Sequence, residues 1–465
     1  MTRPPSIPAD LWDAIPPDLR PAIAAVVTGL ERRIADLEAR LHQNSSNSSR
    51  PPSADPPHAK PAPPKTPSGK RRGGQPGHPK HERTLLPPDV IVPLKPPRCR
   101  RCCGRLTGDD PSPLVHQVHE VPEVRPHVTE YRRHRLSCSH CQAVTCAPLP
   151  IAATAGYGPR TQAITALLAG GHRLGKRAIS QAMVDLFGLA ISPGAVCGLQ
   201  AQTARALAPV HAQALAYART QPANVDETSW KQGSAKAWLW VAVTATVTAF
   251  LIRLTRGRSA FDDLMGESSQ VLTTDRYGVY AHRDGDRRQV CWAHLRRDFQ
   301  AMIDRDNSGS AVGRGLLLHA DILFDHWQRV RDGTLSRAGF RRHYRGWLRT
   351  EVRLLLASGS AVGCAKTAGM CRELLAVESS LWTFADVSGV EPTNNAAERA
   401  VRHAVCWRKT SYGTASESGS RYVERILTVV ASCRQQGRNV LAVLTDAIHA
   451  ARIGTQPPSL IPTGA

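Results

Sequence analysis

The sequence lacks any apolar run long enough to span a bilayer, and residues 1–5 lack the apolar core of a signal peptide. Acidic residues are scarce, with 38 Asp and Glu against 60 Lys and Arg. We therefore expect a cytoplasmic protein with no membrane partner. Its net charge of +22 favours a polyanion such as nucleic acid, and a ribosome-associated or merely solvated basic surface is the alternative.

A cytoplasmic setting disfavours disulfides, so the 12 cysteines indicate thiols and metal ligands. Two Cys-x-x-Cys knuckles, Cys99 with Cys102 and Cys138 with Cys141, predict one structural Zn²⁺ held by four thiolates in a zinc ribbon. The gap between the knuckles is longer than usual, and strands are expected at 115–121 and 128–136. The nearby competing ligands are Cys103, Cys146, His134 and His140. Reduced buried cysteines without metal are the alternative.

Residues 21–43 carry apolar side chains at alternating spacings of four and three. These residues are Ile23, Val27, Leu30, Ile34, Leu37 and Leu41. β-Branched residues at a and leucine at d favour a parallel coiled coil, so we expect a homodimer or a higher oligomer. The stretch is shorter than three heptads, and a helix packed on its own chain fits equally well.

The segment 44–97 is rich in Ser, Pro, Lys and Gly, which predicts an extended linker. Lys70, Arg71 and Arg72 precede a glycine-rich Gly-Gly-Gln-Pro-Gly-His stretch and are expected to lie along DNA phosphates. A solvated linker without contacts is the alternative.

Helical periodicity follows over 157–218, with helices expected at 177–188 and 195–207. Ser192-Pro193 between them provides a cap and a first-turn proline. Two helices joined by a short turn favour a helix-turn-helix that binds DNA. Helical hairpins that bind nothing have the same pattern.

Residues 224–253 change to the β-branched and aromatic pattern of strands. Strands are expected at 238–244, 248–254, 270–274 and 289–294, with a helix at 259–265. Residues 298–384 are expected to form a helical insertion. The fold class is therefore a mixed α/β sheet with a helical insertion.

Three acids stand out against this background. Asp226 and Asp275 each end a β-like run, and Glu398 lies one helical turn after Asn394 in Pro-Thr-Asn-Asn-Ala-Ala-Glu-Arg, where Thr or Asn is expected to cap a helix. Acids at strand ends point into the crevice where such sheets bind ligands. Three converging carboxylates would repel one another unless divalent cations lay between them. Two Mg²⁺ or Mn²⁺ ions could then clamp the oxygens of a phosphoryl transfer.

Other acids compete for these roles, and a capped surface helix is the alternative for Glu398. The competing acids are Glu227, Asp284, Asp286 and Glu391. Glu227 is expected to point to the opposite face of an extended strand. The sequence offers little against Glu391.

The motifs around these acids resemble the catalytic domain of insertion sequence 66 family transposases. They are Val-Asp-Glu-Thr-Ser-Trp, Thr-Asp-Arg-Tyr-Gly-Val-Tyr, Cys-Trp-Ala-His-Leu-Arg-Arg-Asp-Phe and Pro-Thr-Asn-Asn-Ala-Ala-Glu-Arg. The linker and the Cys-x-x-Cys pair resemble the same family. The resemblance implies a ribonuclease H-like core with Asp226, Asp275 and Glu398 as a catalytic, Mg²⁺-binding triad. It further implies DNA ends and target DNA as partners, accessory proteins of the same element, and a nucleoid-associated protein.

Several basic and polar residues near these motifs are expected to contact DNA. They are His294, Arg297, Asn395, Arg399, Arg402 and Lys409, with Arg408 and Arg421 considered on charge alone. Arg399 and Arg402 would share a helix face and bind phosphate. A packed core histidine is the alternative for His294.

The predicted order is an N-terminal helix at 1–43, a linker at 44–97, a zinc-binding domain at 98–150, a helical DNA-binding region at 157–218, a catalytic domain at 221–432 and a C-terminal helix and tail at 433–465. The leading hypothesis is a transposase that cuts element ends and joins the freed 3′-hydroxyl to target DNA. A zinc-containing DNA-binding protein with a silent catalytic domain is one alternative. A hydrolytic nuclease on the same fold, which nicks without joining, is another.

Overall fold

The computed structural model describes residues 3–41, 43–45, 47–48, 83–283, 285 and 287–462. Lys70, Arg71, Arg72, much of the predicted linker, Asp284 and Asp286 lie outside these residues. The chain divides into two compact units, one of residues 1–57 with 128–465 and one of residues 58–127. No helix in the described ranges is both long and apolar enough to cross a membrane.

The described residues form seven strands and sixteen α-helices. The strands are β1 (Arg135–Ser137), β2 (Val144–Cys146), β3 (Ala223–Gln232), β4 (Ala235–Val243), β5 (Thr248–Arg253), β6 (Leu272–Thr274) and β7 (Arg288–Val290). The helices are α1 (Ala9–Ala14), α2 (Arg20–Leu41), α3 (Pro159–Gly170), α4 (Lys176–Phe187), α5 (Pro193–Ala206), α6 (Ala208–Ala218), α7 (Arg258–Met265), α8 (Trp292–Asp304), α9 (Ser310–Arg331), α10 (Arg337–Phe340), α11 (Gly346–Gly359), α12 (Ala365–Ala376), α13 (Thr383–Asp386), α14 (Asn395–Ser411), α15 (Glu417–Gln435) and α16 (Val440–Ile453).

Five strands form a mixed sheet in the order β5-β4-β3-β6-β7. The first three pair antiparallel, β6 pairs parallel with β3, and β7 pairs parallel with β6. Parallel pairing needs a crossover, which α7 supplies between β5 and β6. The mixed α/β class predicted from the sequence is confirmed.

Helices cover both faces of this sheet, which explains the nearly continuous apolar sequence of β4. Leu239 and Val241 lie in a core shared with α14, α15 and α16. Trp240 and Ala242 point the other way, into a core shared with α7. Successive side chains of a strand alternate between faces, so each face of β4 has its own core.

The helices α3 to α6 pack into the same core as the sheet. The core residues Ala163, Ala166 and Val196 from this region join Ile426 of α15. The helix–turn–helix pattern itself is confirmed locally, because Ser192 caps α5 by accepting from the Ala195 amide and Gly188 ends α4 with φ 61°. The region expected to bind DNA and the five-stranded sheet thus share one hydrophobic core.

The helical insertion is confirmed as α8 to α13, which follow β7 and precede α14. It has its own core, in which Trp292, Trp327, Trp382 and Phe384 are fully buried. A second core makes the insertion a rigid support for the elements on either side of it.

Three strand predictions differ from the structure. Residues 115–121 lie within the described part of the chain and form no strand. The strand predicted at 128–136 is reduced to the short strand β1. Val115, Val118 and Val121 are exposed, so this alternation of apolar and polar residues has no core to pack on. The strand expected at 289–294 ends at Val290, and the turns after it belong to α8. Trp292, Leu295 and Phe299 repeat at helical spacing, which a run of six residues was too short to reveal.

The N-terminal helix is confirmed as α2, close to its predicted bounds. Leu30, Ile34 and Leu37 are each more than half exposed in the described chain, and Leu41 is 80% exposed. The apolar stripe is therefore available, while the coiled coil itself stays a prediction.

Gly170 provides a test of how the helical region docks on the sheet. A Cβ at this position would overlap the buried side chain of Ile426. Gly170→Ala should therefore lower the free energy of unfolding by about 1–3 kcal/mol. Gly198→Ala in α5 is the matched control, because a Cβ there meets no atom within 4 Å and should stabilise the helix by up to about 1 kcal/mol. Urea denaturation measures both, and equal stability of the two variants would contradict this packing.

Candidate catalytic site

The strand register brings Asp226 and Asp275 to the same level of the sheet. Asn224 pairs with Thr273 across β3 and β6, an offset of 49 residues. The two acids are also 275 − 226 = 49 residues apart. Continuing the register therefore places them side by side with their side chains on the same face. Asp275 follows the end of β6, whereas Asp226 lies inside β3 and pairs with Val241, so the expectation that Asp226 ends a strand is wrong.

Glu398 is brought to these two acids by α14. The pKa of Asp226 lies well above its ordinary value, because of its burial and then the negative charges of Glu227, Asp275 and Glu398. This shift reflects a cluster of carboxylates that disfavour one another's ionised forms.

Paired asparagine contacts hold α14 against β3. The Asn224 side-chain amide donates to the Thr393 carbonyl at 3.0 Å, and the Asn394 side-chain amide donates to the Val225 carbonyl at 2.8 Å. The prediction that Asn394 caps the helix through its side chain is wrong. Asn394 precedes α14, but its side chain bonds to β3 and makes no cap hydrogen bond. Since Val225 is next to Asp226, these bonds fix the position of Glu398 relative to Asp226.

The first turn of α8 completes the surroundings of Glu398. His294 Nδ1 lies 3.4 Å from Glu398 Oε1, and Arg297 Nη2 lies 3.7 Å from it. Burial and then the charge of Arg297 lower the pKa of His294, although Glu398 opposes this. The imidazole is therefore neutral near pH 7 and available to donate or accept one hydrogen bond.

Glu227, one of the competing acids, is paired with other side chains. Its carboxylate accepts hydrogen bonds from Arg256 at 2.7 and 2.9 Å and from the Tyr280 hydroxyl. Arg256 in turn stacks on Trp238 and Tyr277, with its guanidinium carbon 4.7 and 3.9 Å from the ring centres. This paired, fully buried carboxylate stabilises the loop after β6 and leaves the site to Asp226.

Glu391, against which the sequence offered little, is also held elsewhere. Its carboxylate accepts from Trp327 Nε1 at 2.9 Å. It lines a groove of about 810 Å³ between α8, α9 and the segment before α14. The structure therefore favours Glu398 as the third acid.

Asp275 is positioned by its own loop. Its Oδ1 accepts from the Tyr277 amide at 2.9 Å, and its carbonyl accepts from Arg288 at 2.8 Å. The neighbouring Arg276 forms an ion pair with Asp298 at 2.9 Å. These contacts fix the loop that carries Asp275.

The residues predicted to contact DNA fall into two groups. Asn395, Arg399, Arg402 and Lys409 are exposed on α14, and His294 and Arg297 lie beside Glu398. The groove next to Asn395 is lined by three arginines, Arg296, Arg297 and Arg331. These residues give the site a positive rim.

Arg408 and Arg421, considered on charge alone, are used inside the protein. Arg408 donates to Thr228 at 3.1 Å and to Ser229 Oγ at 2.6 Å. Arg421 pairs with Glu424 at 3.0 Å and donates to the Ile252 carbonyl. Both guanidinium groups stabilise the sheet and its neighbouring helices.

The two knuckles, each in its own unit, have the same local backbone. The Cys99 amide donates to Gly104 and that of Cys138 to Ala143, both at 2.9 Å, while Cys103 and Gln142 each have a φ near 58°. Amides of Cys102 and then Arg101 lower the pKa of Cys99, and those of Cys141 and then His140 lower that of Cys138. Turns that stabilise a thiolate are the local structure that zinc ligands need.

Sequence reasoning missed Cys291, Asn224 and the actual role of Asn394. Cys291 precedes α8, and its buried sulfur accepts from the Asn394 amide at 3.1 Å. The spacing of Cys291 and His294 on one helical turn was a visible signal. The Asn224 contact spans 169 residues and has no local signal.

Comparisons with known proteins agree with this picture. A family profile described as Transposase IS66 family matches residues 157–422, more than half of the chain. A second profile, a family of unknown function named DUF6444, matches residues 8–84. An uncharacterized protein, y4qI of Sinorhizobium fredii (strain NBRC 101917 / NGR234), is 25% identical over 234 residues, which cover 46% of this chain and 43% of that protein.

The carboxylate cluster makes a prediction about stability. Asp226→Asn should increase the free energy of unfolding by about 1 kcal/mol at pH 7 in EDTA, since it removes a charge that burial and neighbouring acids disfavour. A raised carboxyl pKa stabilises the folded protein at low pH, and this stabilisation is lost as pH rises through the pKa of the folded state. The advantage of Asp226→Asn over the wild type should therefore disappear near pH 3. Urea denaturation at both pH values measures it. The exposed Asp446→Asn should have no such effect, and a destabilised Asp226→Asn would contradict the cluster.

Proposed function

Because the chain belongs to the IS66 family of transposases, we propose that it is the DNA transposase of a bacterial insertion sequence. In this proposal it binds the terminal inverted repeats, cleaves a strand there and joins the 3′-hydroxyl to target DNA. The observation that carries the proposal is the position of Glu398 on α14, which Asn224 and Asn394 bond to β3, near Asp226 and Asp275.

The sheet topology supports a ribonuclease H-like core. Three antiparallel strands followed by two parallel ones, with Asp226 on the central strand and Asp275 after the next, is the arrangement expected for that fold. The third acid comes from a helix that crosses back to the central strand, and the long insertion accounts for the 123 residues between Asp275 and Glu398.

The three carboxylates are ligands of the kind that a pair of divalent cations would draw together. Within the described residues, Glu398 Oε1 is buried without a hydrogen-bond partner, and Asp226 is surrounded by negative charge. Oxygen ligands of this kind suit Mg²⁺ or Mn²⁺. Such ions, when bound, would activate a water or 3′-hydroxyl and stabilise the leaving oxygen.

The remaining residues bind and orient the DNA. Arg297 and the neutral His294 lie where the scissile phosphate would approach Glu398. The exposed Arg399, Arg402 and Lys409 contact the DNA phosphates along α14. Lys70, Arg71 and Arg72 add phosphate contacts from the linker. A charge of +22 makes this binding strong and dependent on salt.

The outer parts recognise and pair the ends. One structural Zn²⁺ bound by Cys99, Cys102, Cys138 and Cys141 orders the zinc domain, and the exposed stripe of α2 pairs two or more subunits. The α4–α5 hairpin contributes to end recognition, and accessory proteins of the same element join the complex at the nucleoid.

The zinc site is testable by metal analysis. The full chain should contain one tightly bound Zn²⁺, and a Cys138→Ser, Cys141→Ser variant should lose it, because two ligands cannot hold structural zinc. The paired variant Cys197→Ser, Cys406→Ser removes two exposed thiols elsewhere and should keep the zinc. Equal zinc content in both variants would rule out this site.

Amide substitutions test the catalytic role of the three acids. Asp226→Asn, Asp275→Asn and Glu398→Gln should each reduce cleavage and joining by at least about 10³-fold, since removing one ligand breaks the whole site. Binding of end DNA should be retained. The assay is a labelled element end with purified protein and Mg²⁺, scored for nicks and for joined products.

Glu391→Gln is the control and should keep activity. Loss of joining in Glu391→Gln but not in Glu398→Gln would show that the third acid is misassigned. Full joining by all three amide variants would overturn the mechanism. Nicks without joined products in the wild type would favour the hydrolytic nuclease, and binding without nicks a silent catalytic domain.

A further inference from the structure

A second set of possible metal ligands overlaps the acid cluster. Ligand atoms of Cys291, His294 and Glu398 all lie within 4.8 Å of one another. Cys291 and His294 are three residues apart at the start of α8, and Glu398 faces them from the first turns of α14. The three groups therefore offer sulfur, nitrogen and oxygen to one point.

The facing atoms are buried and unsatisfied. Of the atoms in the described chain, His294 Nδ1 and Glu398 Oε1 are both inaccessible to water and lack hydrogen-bond partners, although they lie 3.4 Å apart. Leaving a buried polar atom unpaired costs about 1–3 kcal/mol. Arg297 Nη2 lies 3.7 Å from Glu398 Oε1 as a charge partner, and a ligand held by Cys291, His294 and Glu398 would in addition satisfy both buried atoms.

The donor set selects a different cation from the acid cluster. Thiolate and imidazole prefer Zn²⁺ and similar soft ions, whereas carboxylates suit Mg²⁺. Three protein ligands of mixed type with an open fourth position are typical of zinc sites that remain accessible. The site is also distinct from the Cys-x-x-Cys knuckles, which offer thiolates alone.

We propose that Cys291, His294 and Glu398 form an inhibitory site for Zn²⁺ or a similarly soft divalent cation. The inhibitory part rests on the proposed function, in which Glu398 serves the Mg²⁺ pair. A carboxylate drawn toward Cys291 and His294 is withdrawn from Asp226 and Asp275. The two metal states therefore exclude one another, and free zinc switches the enzyme off.

The binding step is a simple exchange. Burial raises the pKa of the Cys291 thiol to about 11, so the free protein carries the S–H bond. On binding, that bond breaks, the sulfur–metal bond forms and the proton goes to solvent. The Asn394 amide, which already donates to this sulfur at 3.1 Å, continues to stabilise the thiolate. No oxidant or other reactant is needed.

Cobalt titration tests binding independently of activity. Full-length protein carrying one equivalent of Zn²⁺ is titrated with Co²⁺, and the thiolate-to-cobalt charge-transfer absorption of wild type is compared with that of Cys291→Ser. Wild type should show a band of one equivalent that the variant lacks, because a serine hydroxyl still accepts from Asn394 but is a poor soft-metal ligand. His294→Ala should weaken this band at least tenfold in affinity. Cys406→Ser, which removes an exposed thiol of α14, should leave the band unchanged.

The inhibitory role is tested by adding Zn²⁺ to the strand-joining assay at saturating Mg²⁺. Cys291→Ser should need at least tenfold more Zn²⁺ for half-inhibition, each protein being compared with its own zinc-free rate. An identical cobalt band in wild type and Cys291→Ser would overturn the site. A lost band with unchanged zinc inhibition would overturn its inhibitory role. Absence of all Mg²⁺-dependent activity in wild type would instead count against the proposed function, and the cobalt result would still decide the site.

Discussion

Carboxylates that repel one another must be held together at the edge of this sheet, and the surrounding structure supplies the restraint. The pairing of β3 with β6 fixes Asp226 beside Asp275. The reciprocal amide bonds of Asn224 and Asn394 fix α14, and with it Glu398, against the same strand. Burial and then this repulsion raise the pKa of Asp226. A site that is unfavourable when empty and favourable around cations is the expected result of selection for binding rather than for stability.

The larger elements can be understood as supports for this edge. The insertion has its own aromatic core and delivers Cys291, His294 and Arg297 on the first turns of α8. Its first turn is tied to the segment before α14, because the Trp292 amide donates to the Pro392 carbonyl at 2.9 Å. On the other side, α15 and α16 join the sheet to the α3–α6 helices through one core. The α3–α6 helices and the sheet that carries Asp226 are therefore joined by packed side chains.

Local sequence predicted much of this arrangement. The acids were identifiable because Asp226 and Asp275 end apolar runs, and the helices α4, α5 and α14 were marked by glycine, serine-proline and asparagine signals. The periodicity of apolar residues predicted strands wrongly at two places. Residues 115–121 alternate like a strand but have no core to pack on. At 289–294 a short strand and the start of a helix have the same apolar content. The choice between Glu391 and Glu398 depended on Trp327, and the role of Asn394 on Val225. Both contacts join residues far apart in sequence, so they exist only in the folded chain.

The central claim is that Asp226, Asp275 and Glu398 bind divalent cations as one unit, and iron-mediated backbone cleavage tests it without any DNA substrate. Fe²⁺ bound in place of Mg²⁺ and supplied with ascorbate and peroxide generates hydroxyl radicals that cut the nearby chain. The account predicts cuts near residues 226, 275 and 398 together, suppressed in parallel by added Mg²⁺ and lost together in Asp226→Asn. Cuts near residue 391 without cuts near 398, or cuts near residue 275 that persist when Asp226 is replaced, would contradict it.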